Sequence, residues 1–259
     1  MEVENELTTT ERRSHIITQL EEKGQVAVDA LSRTFQVSQV TIRNDLAYLE
    51  DKNLIYRTRG GAIKRPKVAA DSALAVKSGK NAEQKRRIAL KAVELVQNGD
   101  TIILDSGTTT MEIARNLKEF KNLTVITHAL NIATELARVA GIEVIMPGGI
   151  VRGKSFSLVG SQAEQNLRDY YCDKLFLGVD GFETTLGVTT PCVSEAQLNR
   201  VMVEIAQQTI VVADSTKFGR KSFAFIIPVS RINAVITDIG ISETDRQNLV
   251  SQNVVLYTV

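Results

Sequence analysis

The chain contains 259 residues, of which 43% are hydrophobic and 24% are charged, with a formal net charge of +1. This composition is typical of a globular protein and excludes a disordered or collagen-like chain. No stretch without an acidic or basic residue exceeds 13 residues, whereas a membrane-spanning helix needs about 18 apolar residues or more. The acidic start MEVENEL is unlike a signal peptide. We therefore expect a cytoplasmic protein that does not interact with a membrane.

The first 65 residues contain three segments with helical periodicity. The first predicted helix begins at Thr10 and ends at Gly24, the second covers residues 28–35, and the third follows an N-cap at Ser38. Two short helices joined by a tight turn, with polar residues early in the second, predict a helix-turn-helix unit. The N-terminal end of such a helix presents side chains to base edges in the major groove of DNA.

A basic β-hairpin is predicted directly after the third helix. Residues 54–59 alternate with a period of two, and a Gly60–Gly61 turn leads into a second short strand. Between residues 31 and 67, eight basic residues stand against three acidic ones, a net charge of +5. A basic stretch is often only a solvated face. Here the cations follow a helix-turn-helix pattern, which favours a wing whose arginines contact phosphates or enter the minor groove.

The motif VSQVTIRNDL at 37–46, followed by RTRGGA, resembles the DNA-binding part of the DeoR family of bacterial regulators of sugar metabolism. The resemblance implies that residues 1–64 form a winged helix-turn-helix domain and that the chain represses a carbohydrate-use operon by binding double-stranded operator DNA. Two alternatives remain: Ser38 acts only as a helix cap, and Asp45 only as the partner of a nearby cation. The predicted DNA-contacting residues are Ser38, Gln39, Thr41, Arg43, Asn44, Arg57, Arg59 and Lys64.

Residues 65–80 mix Pro, Ala, Ser and Lys without either periodicity, which predicts an exposed linker. Asn81 and Gln84 then form a capping-box pattern at the start of a helix. Beyond it, apolar strands alternate with helical segments, which predicts an α/β domain at 81–259 with a mostly parallel sheet. In such sheets, ligands bind at the carboxyl ends of the strands. The predicted strands are 101–104, 123–127, 143–147, 174–179, 209–213, 234–237 and 254–258.

The loop after the first of these strands, DSGTTT at 105–110, has the composition of an anion site. Free backbone N–H groups at a helix start, together with hydroxyl side chains, form a phosphate cradle, and Gly107 permits close approach of the backbone. The alternative interpretation is a helix cap that serves stability alone. No lysine follows as in a nucleotide-binding P-loop.

Four further loops lie at corresponding positions after other strands and carry Gly, hydroxyl or charged residues. His128 either lines the ligand site or is an ordinary loop histidine. Arg152 or Lys217 would help to hold the phosphate. The loops are THALN at 127–131, PGGIVRGKS at 147–155, GVDG at 178–181 and ADSTKFGRK at 213–221.

These loops resemble the sensor domain of DeoR-type regulators, which is similar to ribose-5-phosphate isomerase and glucosamine-6-phosphate deaminase. The resemblance implies a Rossmann-like fold and a phosphorylated sugar as effector. The run EAQLNR at 195–200 is similar to regulators of amino-sugar use, so a phosphorylated hexosamine or its ketose product is the first ligand to test. Many members have an Asn-Glu pair where this chain has Cys192 and Val193. The predicted effector-contacting residues are Asp105, Ser106, Gly107, Thr108, Thr109, Thr110, His128, Gly149, Arg152, Asp180, Glu195 and Lys217.

An alternative function is a sugar-phosphate isomerase or deaminase with an added DNA-binding head. Such chemistry needs a positioned acid–base pair, whereas the loop after the fourth strand offers Asp180 and Glu183 without Lys or His. We therefore expect no catalytic residue and no enzyme activity. Two cysteines and two histidines without metal-ligand spacing predict no metal ion and no other cofactor. Because one small head offers few base contacts, we expect a homo-oligomer, either a dimer or a tetramer.

Overall fold

A computed structural model describes residues 7–52, 54–64 and 71–259, and for Lys64 the backbone alone. The chain divides into two compact units, residues 1–67 and 68–259. The predicted DNA contact of the Lys64 side chain and the linker residues 65–70 lie outside the described residues. Within the described part, no helix is both long and apolar enough to span a bilayer.

The first unit, which we call the head, contains three helices and a small sheet, and its helix boundaries agree closely with the sequence prediction. Thr8 caps α1 in a capping box with Glu11, and Gly24 ends the helix in the left-handed region. Ser38 accepts a hydrogen bond from the Thr41 N–H and so caps α3. The elements are α1 Thr9–Lys23, β1 Gln25–Ala27, α2 Val28–Phe35, α3 Gln39–Asp51, β2 Ile55–Thr58 and β3 Gly61–Lys64.

The sheet of the head has the strand order β1-β3-β2, and the sequence did not predict its first strand. The hairpin turn is also one residue earlier than predicted, because Thr58 pairs with Gly61 and leaves Arg59 and Gly60 as the turn. A Cβ atom on Gly61 would lie 2.0 Å from the carbonyl oxygen of Val26. Glycine at this position therefore allows β1 to pair with the hairpin.

The second unit, which we call the sensor, alternates strands with helices. A helix of five residues, α4, lies within the segment that was predicted to be an exposed linker. The elements are α4 Leu74–Ser78, α5 Ala82–Val93, β4 Thr101–Leu104, α6 Thr108–Arg115, β5 Leu123–Thr127, α7 Leu130–Leu136, β6 Ile142–Ile145, β7 Ile150–Arg152, β8 Ser157–Val159, α8 Ser161–Leu167, β9 Cys172–Gly178, β10 Gly181–Glu183, β11 Gly187–Thr190, α9 Val193–Ile205, β12 Ala206–Val212, β13 Ala224–Ile227, β14 Ala234–Thr237, α10 Glu243–Ser251 and β15 Val255–Thr258.

Seven strands form one sheet in the order β15-β14-β12-β9-β4-β5-β6, and every pairing in it is parallel. Side chains of single strands alternate between two buried apolar clusters: Leu175 and Leu177 belong to one, and Phe176 belongs to the other. Both faces of the sheet are therefore covered, which explains why its strands are apolar throughout. The predicted parallel α/β architecture is confirmed.

Two smaller sheets and one helix start differ from the sequence prediction. The strands β10, β11 and β13 form an antiparallel sheet, and β7 pairs with β8 as a hairpin. Asn81 does not cap α5 through its side chain. Its amide donates a hydrogen bond to Asp214 at 2.9 Å instead, so the predicted capping box is wrong.

Candidate DNA-reading helix and ligand cleft

The N-terminal end of α3 presents a polar, solvent-exposed face. Four of the five predicted contact residues in the helix region are exposed, and Thr41 is half-buried. The Arg43 guanidinium donates to the side chain of Gln39 at 3.0 Å, which orders both residues on one face. Val40, which the sequence analysis did not select, is 62% exposed in the same turn. An exposed apolar side chain here is suited to contact a thymine methyl group.

Asp45 lies on the opposite side of α3 and is buried. It accepts hydrogen bonds from the guanidinium groups of Arg12 at 2.6 Å and Arg13 at 2.8 Å. The Arg13 guanidinium also lies 3.8 Å from the ring centroid of Tyr48. These contacts fix α3 against α1, so Asp45 has the structural role that the sequence analysis left open.

The wing carries Arg57 and Arg59, both exposed. The Arg57 backbone N–H donates to the Glu50 carboxylate at 3.1 Å, and the two side chains lie 3.9 Å apart. Because both partners of this ion pair are solvent-exposed, the pair is weak and leaves the Arg57 guanidinium available to a phosphate group.

In the sensor, a cleft opens where the carboxyl ends of β4, β9 and β12 meet. The strands that follow β4 in the chain, β5 and β6, lie on one side of it, whereas β9, β12, β14 and β15 extend the sheet on the other side. The switch in strand order therefore falls between β4 and β9, and α/β sheets bind ligands at such a switch. Ten of the twelve residues predicted to contact the effector line this cleft: Asp105, Ser106, Gly107, Thr108, Thr109, Thr110, Arg152, Asp180, Glu195 and Lys217.

The other two predicted residues, His128 and Gly149, are not among the cleft-lining residues of the described structure. His128 is fully buried behind Asp105, with 3.6 Å between its Nε2 and an Asp105 carboxyl oxygen. Gly149 belongs to the packing of the β7–β8 hairpin, because a Cβ atom there would lie 2.7 Å from the carbonyl oxygen of Val159.

The loop 105–110 places the start of α6 at the floor of the cleft. The Thr110 hydroxyl donates to the Gly107 carbonyl at 3.1 Å, and Ser106 and Thr108 are half-buried. The N-terminal N–H groups of a helix carry partial positive charge and attract anions. The loop therefore has the hydroxyl and amide donors that a phosphate group requires.

Several cations stand around this loop. Lys217 and Lys77 point their ammonium groups at Asp180, at 3.8 and 2.6 Å. Lys85 is buried, and burial lowers its pKa. Its ammonium group donates to the carbonyl oxygens of Lys77 and Lys80, both at 2.6 Å. Lys77 and Lys85 were not predicted from the sequence, because Lys77 lies in α4 and Lys85 in α5 and neither is in a loop after a strand.

One wall of the cleft contains the buried carboxyl groups of Asp105 and Glu195. Asp105 accepts a hydrogen bond from the Gly178 N–H at 3.0 Å. Burial, followed by the nearby charge of Glu195, raises the pKa of Asp105 well above its ordinary value. Burial also lowers the pKa of His128 to about 3, and neither ring nitrogen has a hydrogen-bond partner among the described residues.

Glu195, at the start of α9, connects this wall to the β7–β8 hairpin. It accepts hydrogen bonds from Arg152 at 3.0 Å, Ser157 at 3.1 Å and Thr190 at 3.3 Å. Four positions further along the helix, Asn199 lines the cleft and is 3% exposed. Its side-chain oxygen has no partner in the described part of the chain, so it can accept a hydrogen bond from a ligand.

The two positions at which the chain departs from the family pattern lie next to this wall. Cys192 is the residue before α9 and makes no side-chain capping bond, and Val193 is 48% exposed. Neither is among the residues that line the cleft in the described structure. Cys192 nevertheless lies close enough to the cleft-lining Arg152 to act on it electrostatically.

A winged helix-turn-helix with an exposed polar face, together with a separate ligand cleft, defines a DNA-binding regulator with a sensor domain. Family models match both parts: a DeoR-like helix-turn-helix domain at residues 12–66 and a DeoR C-terminal sensor domain at residues 80–239. The chain belongs to the DeoR family of transcriptional regulators, as its sequence motifs predicted.

Among the relatives that match over nearly the whole chain are two regulators with assigned names. One, a candidate aga operon transcriptional repressor of Escherichia coli O157:H7, is 44% identical over 93% of this chain and 90% of its own length. The transcriptional regulator GlpR of Haloferax volcanii is 35% identical over 94% of this chain and 95% of its own. Among solved structures, ribose-5-phosphate isomerase A of Methanocaldococcus jannaschii is 21% identical over 54% of this chain and 55% of its own, with a TM-score of 0.41.

Proposed function

We propose that the chain represses a carbohydrate-use operon and that a phosphorylated sugar controls its binding to operator DNA. The observation that carries the ligand class is the loop 105–110, whose hydroxyl and amide donors open into a cleft with five nearby cations. The relatives support the regulatory role, since one of them is named for repression of the aga operon. Asn199 and the buried carboxyl groups of the cleft wall would accept hydrogen bonds from sugar hydroxyl or amino groups.

The DNA-binding part of the proposal assigns Arg43 and Asn44 to base edges and Arg57 to phosphate. Arg43→Ala and Asn44→Ala should each weaken specific binding by about 1–3 kcal/mol. Arg57→Ala should weaken binding to specific and random DNA alike and reduce the salt dependence. Titration of labelled operator and random DNA at several salt concentrations measures both effects. Arg86→Ala, at an exposed position on α5, is the control, and parental operator affinity in all variants would contradict the assignment.

The ligand part of the proposal predicts that Thr108→Val combined with Thr109→Val abolishes stabilisation by sugar phosphates. The substitutions keep the side-chain volume and remove two hydroxyl donors. A thermal-shift screen of glucosamine 6-phosphate, fructose 6-phosphate and ribose 5-phosphate against parent and double variant measures the effect. A compound that stabilises both proteins equally, or that acts as well without its phosphate, would remove the phosphate assignment.

Three further points complete the proposal. The cleft binds its ligand without converting it, so incubation with the same sugar phosphates should yield no product while operator affinity changes; turnover would favour the isomerase or deaminase alternative.

The protein acts as a dimer or tetramer in the cytoplasm, where its operator is found. Light scattering that shows a monomer with high operator affinity would refute the oligomer.

A further inference from the structure

The segment at residues 71–80 is tied along the cleft. Leu74 and Lys77 line the cleft with Asp71 and Ser72. The Leu74 N–H donates to the carbonyl oxygen of Lys154 at 2.9 Å, and the Lys77 ammonium pairs with Asp180 at 2.6 Å. The segment therefore contacts both the hairpin side and the strand-end side of the ligand site.

Asp71 is the residue of this segment that meets the cations of the hairpin. Its carboxylate forms a short ion pair with Arg152 and lies 3.4 Å from the ammonium of Lys154. Glu195 contacts the same Arg152 guanidinium at 3.0 Å. One arginine is thus shared by two carboxylates, one from the cleft wall and one from the segment.

The two carboxylates are not equally fixed. Glu195 is buried and has hydrogen bonds from Ser157 and Thr190 in addition to Arg152. The Asp71 side chain is 25% exposed, and its described ion pairs are with Arg152 and Lys154. A competing anion would therefore replace Asp71 more easily than Glu195.

We propose that Arg152 and Lys154 form an anion-binding subsite that is separate from the loop 105–110. Asp71 occupies this subsite in the free chain, and an acidic group of the effector binds there by displacing Asp71. Exchange of one anion for another keeps two anions on the partly buried guanidinium, whereas simple departure of Asp71 would leave Glu195 as its one described carboxylate partner. The ligand class is a phosphorylated sugar with a second acidic group, a carboxylate or a phosphate. This inference rests on the proposed function.

Displacement of Asp71 would remove one of the contacts that hold the segment 71–80 along the cleft. This segment follows residues 65–70, which connect the sensor to the head along the chain. A ligand changes a conformational equilibrium only by the difference in its affinity for the two states. Competition for Arg152 supplies that difference in affinity, because the acidic group of the ligand can contact Arg152 fully only in the state in which Asp71 has left the subsite.

The test uses the full-length protein and titrates inorganic phosphate and acetate separately by calorimetry at low ionic strength. Asp71→Asn should bind at least one of these anions about ten-fold more tightly than the parent. Asp169→Asn, an exposed aspartate of the same unit, should stay within two-fold of the parent. Addition of Arg152→Gln to Asp71→Asn should remove the gain. The proposal would be overturned if Asp71→Asn bound phosphate and acetate with affinities within two-fold of the parent. A gain in affinity that survives Arg152→Gln, or the absence of binding by both proteins, would overturn it as well.

Two further measurements separate this inference from the proposed phosphate loop. In the Asp71→Asn background, Thr108→Val with Thr109→Val should leave the Arg152-dependent gain intact; loss of the gain would show that no separate subsite exists. Native-state hydrogen exchange then monitors the Leu74 amide in the parent, which should exchange faster at saturating anion. Unchanged protection of that amide would contradict the displacement.

Discussion

The head and the sensor each contain a buried aspartate, but the two units compensate the charge differently. In the head, Asp45 accepts hydrogen bonds from two guanidinium groups, those of Arg12 and Arg13. In the sensor, Asp105 accepts a hydrogen bond from the Gly178 N–H and lies next to the ring of His128, and its pKa is raised by burial and, second, by the nearby charge of Glu195. The head thus uses a buried carboxylate to fix a helix, and the sensor keeps beside its cleft a buried carboxyl group without a described lysine or arginine partner.

This difference follows from what each unit has to do. A reading helix must hold its exposed face in one orientation, which a paired charge and an apolar core achieve. A ligand site needs groups whose hydrogen bonds are completed only by the ligand, and such groups cost stability when the site is empty. The unpaired oxygen of Asn199 is another example in the sensor.

The largest effect is expected from removal of the charge in the head. Asp45→Asn should lower the free energy of unfolding of the head by about 3–5 kcal/mol, because Arg12 is left buried without a carboxylate partner. Asp51→Asn, at the exposed end of α3, is the matched control and should change the stability by less than about 0.5 kcal/mol. Urea denaturation followed by resonances of the head measures both. A loss below about 1 kcal/mol for Asp45→Asn would mean that the ion pairs do not fix α3.

A smaller effect, dependent on pH, is expected from the buried pair in the sensor. Below its ordinary pKa of 6.5, an unfolded histidine takes up a proton that His128, with a pKa of about 3, does not, so this residue makes stability fall as pH falls. Asp105 has a raised pKa and keeps a proton that unfolded aspartate loses, so it makes stability fall as pH rises. The two contributions oppose each other above pH 3.8, up to the raised pKa of Asp105 or to pH 6.5, whichever is lower.

Single substitutions should reveal these opposing slopes. Relative to the parent, Asp105→Asn should make the stability of the sensor rise with pH, and His128→Leu should make it fall with pH. Each slope should reach at most about 1.4 kcal/mol per pH unit. The melting temperature of the sensor at pH 4.5, 5.2 and 6.0 measures them. Identical pH dependence in both variants and the parent would show that neither residue contributes to the pH dependence of stability.

The smallest effect compares two helix caps. Ser38 caps α3 in the head and Ser242 caps α10 in the sensor, each by accepting a hydrogen bond at 3.1 Å from a backbone N–H three residues on. Ser38→Ala and Ser242→Ala should each cost about 1 kcal/mol of stability. Only Ser38→Ala should also weaken operator binding. If both variants bound the operator equally well, Ser38 would act only as a helix cap, which is the alternative role predicted from the sequence.

Local signals explain why so much of the fold could be predicted. Each helix of the head has a cap or a periodic apolar stripe, and both faces of the large sheet are buried, so its strands are apolar runs. The small strands β10, β11 and β13 lack this signal. β10 and β11 form a local hairpin, whereas β11 pairs with β13 from a distant part of the chain, as Val188 does with Ile227.

The site was predicted only as far as it follows the strand ends. Asp71 and Lys77 lie in a segment without periodicity, and their positions depend on partners at Arg152 and Asp180 that no local pattern indicates. Asn199 sits within a helix of mostly buried residues, and His128 follows a strand end yet lies behind the cleft wall. Loop position therefore predicts proximity to the cleft but not the direction of each side chain.

The topology of the cleft has a consequence for the newly made protein. Its walls combine Asp71 with Lys217 and with the carboxyl ends of three strands, so the pocket cannot close before β12 has been synthesised and paired. The pairings and core of the head lie within its first 64 residues. At translation rates of about 5–20 residues per second, roughly 8–30 s separate synthesis of Lys64 from that of Lys217. Each new molecule therefore passes through an interval in which the sequence that reads DNA is complete and the cleft that would control it does not yet exist.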